Sequence, residues 1–318
     1  MKLKIFNYIQ YFYKKKKKLI FEIKNYSDFL QNGLYSIQPS YAYHKKYKPF
    51  FTDELINIFL KCFYFTSVKV FSKNKVFEGK LIFLNAQGSI KIFNDVSVLT
   101  FLENKNIDKM INNYKQVDDF FDYPRIITIH NNYYIEEFIL DKKKKNLEEL
   151  HSIYHVLLNF YSKQKIEYKK LSVDDFVWEK LTVKNKLFIE SIYTTHSYPF
   201  VLSHNDIHFG NILIGDKMYI IDWEYFGENL IYYDFLNILF VEALNGDRSF
   251  LEFFFSGELD SYFEKLFSIF NLKYNKNNRK KYFDIYLLNK IILRDIQESK
   301  VHLNKVLINY QKVRKNYC

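Results

Sequence analysis

The stretch from His204 to Asp222, HNDIHFGNILIGDKMYIID, constrains this chain more than any other. Two apolar runs, residues 212–214 and 218–221, flank the pair Gly215-Asp216, the pattern of an antiparallel hairpin. Asn211 directly precedes the first run and Asp222 directly follows the second, so pairing of the strands brings the two together at the open end. Asp206 lies five residues before Asn211, on the lead-in loop, within reach of the same mouth. A carboxylate, a carboxamide oxygen and a second carboxylate make a hard-oxygen donor set suited to Mg²⁺, which keeps waters and takes its other ligands from phosphate.

Asp-x4-Asn on a loop, followed by a hairpin ending in Asp, is the layout in which protein kinases carry their catalytic and metal loops. Here HND stands in place of HRD, and Asp222-Trp223-Glu224 in place of DFG. With HxDxHxGN upstream and IDWEYFG over 221–227, the stretch resembles the aminoglycoside phosphotransferase and choline/ethanolamine kinase family. The resemblance implies an α+β, two-lobed protein-kinase-like fold with a small antiparallel-sheet lobe for nucleotide and a mostly helical second lobe. It also implies ATP and Mg²⁺ as cofactors and phosphotransfer to an alcohol group of a small molecule. Such chemistry needs metal ligands, a cation on the phosphates and a group that orients the acceptor hydroxyl. Asp206 is assigned as that base or orienting carboxylate, Asn211 and Asp222 as Mg²⁺ ligands, and His204 as a brace of the loop. Glu224 is a further candidate for the metal, and His208 stays without a role. A zinc set of His204, Asp206 and His208 can be drawn, but their alternating loop positions, the Asn and the hairpin argue against it.

At 318 residues the length suits about two domains. Phe 33 and Tyr 28, with abundant Lys, Asn and Ile, reflect the coding bias of an AT-rich genome, so aromatics alone carry little functional weight. Cys62 and Cys318 offer neither a disulfide framework nor a metal-ligand spacing. No long uncharged apolar run occurs, and lysines 14–18 interrupt any signal-peptide core. A soluble cytoplasmic protein is expected. The net charge of +11 is concentrated at one end: residues 1–50 hold eleven Lys against Glu22 and Asp28. This basic leader, with aromatic and aliphatic neighbours, could sit on an anionic lipid surface such as the inner membrane face, but a solvated tail is the favoured reading. No nucleic-acid-binding signature is present, and none is expected as a partner.

Beyond the leader, residues 51–140 are expected to form the nucleotide lobe and 141–318 the helical lobe with the catalytic loop, metal loop and acceptor site. A helix is predicted over 53–64, then strands over 67–71, 76–84 and 89–93. Lys91 sits in the apolar strand Ile90-Lys91-Ile92, and the resemblance implies that it holds the α- and β-phosphates. The loop Ser72-Lys73-Asn74-Lys75 lacks a glycine-rich signature. A helix over 106–121 would in protein kinases carry a Glu that pairs with this lysine. Here Glu103 comes early and Asp108 is better placed but shorter, so the partner of Lys91 stays open. Strands follow over 125–130 and 133–138, and 134–139 resembles the hinge whose backbone bonds adenine, with Glu137 aligned to the hinge acid. Helices are predicted over 147–161, 174–192, 232–244, 250–270 and 279–313. Asp234 matches the family's buried aspartate, which holds the catalytic loop through its amides.

For the acceptor, charge is the guide. Residues 218–264 hold ten acids against the single base Arg248, which reads either as a wall attracting a cationic substrate or as solvated helix surface. Tyr225, Phe226, Tyr232 and Tyr233 would add cation–π contacts, or belong to the core. The leading expectation is therefore a kinase of a cationic amine such as choline, ethanolamine or an aminoglycoside. The alternatives are a kinase of a sugar or lipid-linked glycan precursor, and a catalytically silent kinase-like binding module.

Overall fold

The structure, a computed structural model, describes residues 33–39, 67–70, 81–84, 90–93, 96–101, 107–131, 133–142, 146–171, 181–192, 196–294 and 300–317. The helix expected over 53–64, the loop 72–75, Glu103 and lysines 14–18 lie outside these residues. The chain divides into two compact units, one of residues 1–111 and 124–140, the other of 112–123 and 141–318.

The first unit is built on a seven-stranded sheet. Its strands are β1 (Gly33–Pro39), β2 (Ser67–Val70), β3 (Leu81–Leu84), β4 (Ile90–Phe93), β5 (Ser97–Phe101), β6 (Ile126–Ile129) and β7 (Tyr133–Glu137), in the order β2-β1-β3-β4-β5-β7-β6. All pairs are antiparallel except β1 with β3. β1 comes from the basic leader, yet it lies between two partners, with Tyr35 opposite Val68 and Ile37 opposite Ile82. Its sequence, GLYSIQP, is uncharged, unlike the lysine runs on either side. β5 was not foreseen. It buries Val98, Leu99 and Thr100 and joins β4 to β7, and its short SVLTF run gave little periodicity to read.

The second unit is mostly helical. The division between the units falls inside α1 (Ile107–Val117), and the second unit continues with α2 (Leu147–Tyr161), α3 (Val183–Ile192), α4 (Tyr233–Leu244), α5 (Ser249–Ser256), α6 (Asp260–Ile269), α7 (Arg279–Arg294) and α8 (Lys300–Lys315). α2 forms where helical spacing predicts it. Leu150, Ile153, Tyr154, Leu157, Leu158 and Tyr161 make its buried stripe, and the side chain of Asn146 accepts the amide of Glu149 at 2.9 Å to cap its start. α4 is apolar nearly all round and is buried nearly all round, from Tyr233 to Phe240. The helical span expected over 250–270 holds two helices, because Gly257 adopts φ 95° and ends α5. Asp260 then anchors Arg279 through a two-pronged ion pair, with Nε to Oδ1 at 2.9 Å.

Two smaller sheets complete this unit. β10 (Ile212–Ile214) and β11 (Met218–Ile220) form the foreseen hairpin, Ile212 opposite Ile220 and Ile214 opposite Met218. β8 (Glu167–Lys170), β9 (Ser197–Ser203) and β12 (Gly227–Leu230) form a three-stranded antiparallel sheet. Sequence reading missed it: EYKK and GENL are too short and too polar to carry a strand signal.

Candidate active site

The lead-in loop begins where β9 ends, and Asp234 at the start of α4 holds it. One carboxylate oxygen accepts the amide of His204 at 2.8 Å and the Tyr161 hydroxyl at 2.9 Å; the other accepts the amide of Asn205 at 3.0 Å. Burial pushes the Asp234 carboxyl up from its ordinary value, and His204 and these donors pull it back. Asn205 takes φ 70°, in the left-handed region, so the chain turns sharply just before Asp206. Asparagine tolerates that region better than most residues.

His204 is buried and committed on both ring nitrogens. Nδ1 accepts the amide of Asp206 at 3.2 Å, which leaves Nε2 to donate to the carbonyl of Ile221 at 2.9 Å. Its ring packs at 4.5 Å, tilted by 52°, against Trp223, which is fully buried and donates Nε1–H to the carbonyl of Ile220. His204 thus ties the loop to the far end of the hairpin. His208 stands on the other side of Asp206, where its Nδ1 accepts the amide of Gly210 at 2.9 Å and caps the single turn leading to Asn211. Burial lowers the His208 imidazole below its ordinary value, while nearby Asp206 works the other way.

Asn211 closes the arrangement. Its Nδ2 donates to the backbone carbonyl of Asp206 at 2.9 Å and lies 3.5 Å from that residue's Oδ2, and its own carbonyl accepts the amide of Ile221 at 3.0 Å. With the amide nitrogen committed to Asp206, the carboxamide oxygen is the atom of this side chain that could serve as a ligand. Asp222 follows Ile221 at φ 64°, ψ 48°, a left-handed backbone that an aspartate adopts at a cost. Asp206, Asp222 and Glu224 are each half-buried. The donor set is oxygen-only, as a hard cation requires, and among the described residues no three His, Cys, Asp or Glu side chains converge on a metal position.

The floor of the hairpin comes from the segment that sequence reading took as a helix over 106–121, without assigning it any contact with the hairpin. Asn113 donates to the carbonyl of Trp223 at 2.8 Å, Phe121 packs on the Trp223 ring at 5.0 Å, and the carbonyl of Asp122 accepts the amide of Ile220 at 2.9 Å. Nothing in the local pattern of 113–122 marks these contacts, which join residues about a hundred positions apart.

The other foreseen residues lie in the first unit. Lys91 is half-buried on β4, flanked in register by Phe83 and Thr100. Glu137 ends β7, opposite Ser97, and its amide donates to the carbonyl of Arg125 at 2.9 Å. Asp108 is exposed in the first turn of α1.

The acids of 218–264 are dispersed. Glu228 pairs with Lys169, Glu264 with Lys276 at 2.8 Å and Asp260 with Arg279, all bases outside that window, and Asp234 is spent on the loop amides. Tyr232, Tyr233 and Phe226 are buried core, whereas Tyr225 is exposed.

The sequence from 146 to 266 matches the model of the phosphotransferase enzyme family. No curated protein sequence matches the chain. Among solved structures, it is similar to a choline/ethanolamine kinase family protein from Mesorhizobium loti, at 12% identity and TM-score 0.46 over 73% of this chain and 86% of that one. It is also similar to a choline kinase from Streptococcus pneumoniae, at 12% identity and TM-score 0.42 over 72% of this chain and 90% of that one. A third likeness is to an ADP-bound aminoglycoside phosphotransferase, at 15% identity and TM-score 0.42 over 83% and 97%. The matched segment contains helix α2, the whole loop from His204 to Asn211, the hairpin and the buried Asp234, and over that segment the chain is similar to the phosphotransferase enzyme family.

Proposed function

We propose that this enzyme transfers the γ-phosphoryl group of ATP to a hydroxyl of a small molecule, yielding ADP and a phosphomonoester. In this reading Asp206 accepts a hydrogen bond from the acceptor hydroxyl, orients its oxygen and takes its proton as the bond to phosphorus forms. Asn211 and Asp222 would hold Mg²⁺, which supplies charge neutralisation on the phosphate oxygens. Lys91 would neutralise the α- and β-phosphates, and the β7 backbone near Glu137 would meet the adenine edge. The observation that carries the reading is the Asn211 side chain: one amide hydrogen holds the backbone of Asp206 while the residue's carbonyl holds Ile221, beside Asp222. One residue thereby couples the proposed base to the proposed metal ligands.

For the acceptor, the cationic amine remains the favoured class, on a narrower basis than the acidic count suggested. Glu224 and the exposed Tyr225 lie directly after the metal-loop aspartate, and a carboxylate beside an accessible ring suits an ammonium group. ADP release by the purified protein with Mg²⁺ and ATP is measured against choline, ethanolamine, aminoglycosides and neutral sugars. Turnover with an amine alcohol that Asp206→Asn abolishes supports the reading. Preference for a neutral sugar would replace the amine by the glycan alternative, and no turnover with any acceptor, together with no Mg²⁺-dependent ATP binding, would replace enzyme by binding module.

A further inference from the structure

Helix α7 buries two polar side chains in succession, Asn289 at 2% exposure and Lys290 at 3%, amid Tyr286, Leu287, Leu288 and Ile291. Burying an amide and an ammonium in an apolar helix face costs free energy unless each is fully bonded, so their partners identify what they serve. Asn289 donates Nδ2–H to the side-chain oxygen of Asn229 on β12, and Asn229 in turn donates to the side-chain oxygen of Asn205. Asn205 then donates to the carbonyls of Tyr225 at 2.8 Å and Gly227 at 3.2 Å. Lys290 donates to the side-chain oxygen of Asn237 on α4, which also accepts the Tyr286 hydroxyl at 2.9 Å. Asn237 passes the chain on by donating to the carbonyl of Ile207 at 2.7 Å. The ammonium is further surrounded by the Tyr233 hydroxyl at 3.3 Å and by the rings of Tyr233 and Tyr286 at 5.4 and 5.9 Å.

Consecutive helix positions point in directions about 100° apart, so one runs through β12 and the other through α4. The two strings meet again at the loop, on Asn205 and Ile207, the residues on either side of Asp206. We infer that Asn289 and Lys290 are positioning residues for Asp206, acting through two side-chain relays, one ending on the side chain of Asn205 before it and the other on the backbone carbonyl of Ile207 after it. The inference rests on the assignment of Asp206 as the acceptor-orienting carboxylate. Asn205 shows why a clamp is needed: its left-handed φ of 70° is held against the chain's own preference by side-chain bonds that only an amide can make at both ends. The positive charge of Lys290 strengthens the hydrogen bond into Asn237 and so stiffens the relay furthest from solvent.

The test uses the full chain with Asn289→Leu and Lys290→Met, which keep side-chain size and remove the donors, and Ile291→Val as a core change on the same helix without polar contact. Hydrogen–deuterium exchange of the segment 203–211 is expected to rise about tenfold in both relay variants and not in Ile291→Val. With the best acceptor, kcat is expected to fall about tenfold or more while KM for ATP stays within about twofold, the signature of a misplaced reacting group rather than lost nucleotide binding. Unchanged exchange and kcat in both relay variants would overturn the inference. So would an equal kcat loss in Ile291→Val at matched melting temperature. If Asp206→Asn itself keeps full turnover, it is the assignment of Asp206 that has failed, and the exchange result still decides separately whether the relays hold the loop.

Discussion

Asn211 donates its carboxamide to the backbone carbonyl of Asp206 at 2.9 Å, across a five-residue loop. This bond makes the loop and the hairpin mouth one object. Asn211→Ala should therefore damage both proposed roles at once: Mg²⁺-dependent ATP binding falls, and kcat falls by about 10²-fold or more. Asp206→Asn should instead abolish turnover and leave the ATP-induced rise in melting temperature intact. The two variants are compared by thermal shift with Mg²⁺ and ATP alongside an ADP-release assay; equal nucleotide binding in both would contradict the metal role of Asn211.

Asp222 holds a left-handed backbone without the glycine that usually occupies it. Asp222→Gly is expected to relieve that strain, leaving stability unchanged or raised by up to about 1 kcal/mol. It should nevertheless lose the Mg²⁺ dependence of ATP binding, since the carboxylate is gone. Chemical denaturation and a Mg²⁺ titration separate the two effects, and a variant that keeps the wild-type Mg²⁺ dependence would remove Asp222 from the metal set.

His208 is held below its ordinary value of 6.5, chiefly by burial, and its Nδ1 accepts the amide of Gly210, a bond that the doubly protonated ring cannot make. Its folded form therefore binds fewer protons than its unfolded form once the pH drops past the unfolded value. The sign follows: this contribution to stability is present above the unfolded value and is lost as the pH falls through it toward the depressed folded value. The melting temperature should fall between pH 7 and pH 5 more steeply in the wild type than in His208→Asn. Parallel profiles would show that His208 does not titrate in this way.

Gly210 faces the same ring. A Cβ there would stand 2.5 Å from His208 Cε1 and 2.8 Å from Nδ1, so Gly210→Ala must turn the imidazole away and break the capping bond. The expected cost is about 1–3 kcal/mol, with kcat reduced more than KM because Asn211 is displaced along with the turn. A substitution neutral in both denaturation and turnover would mean that the ring is free to move.

Removal of residues 1–28 keeps all of β1, whereas removal of residues 1–45 takes β1 from between β2 and β3. The shorter truncation should retain the ATP-dependent rise in melting temperature and the longer one should lose stability. If the leader's lysines serve an anionic membrane, the shorter truncation should also lose binding to phosphatidylserine vesicles at low salt. Equal stability of the two truncations would show that β1 is dispensable to the sheet.

The sequence by itself determined the hairpin, the spacing of Asp206, Asn211 and Asp222 around it, and the helices α2 and α4, because each is encoded locally. Alternating or helical apolar runs, a Gly-Asp turn and a capping Asn act over a few residues, and hydrogen bonds between neighbours in sequence follow from them. The tertiary structure alone decided the rest. β1 could not be read out of a lysine-rich leader, since a strand of seven ordinary residues is defined by the partners it pairs with. The acidic run of 218–264 looked like one wall in sequence and became separate ion pairs with Lys169, Lys276 and Arg279, because charge is neutralised by what lies nearby in space. Asn113, Asn229, Asn237, Asn289 and Lys290 carried no motif, since an amide's role depends on which carbonyl it reaches. In a chain this rich in Asn and Lys, only burial distinguishes the residues that hold Asp206 in place from the many that face water.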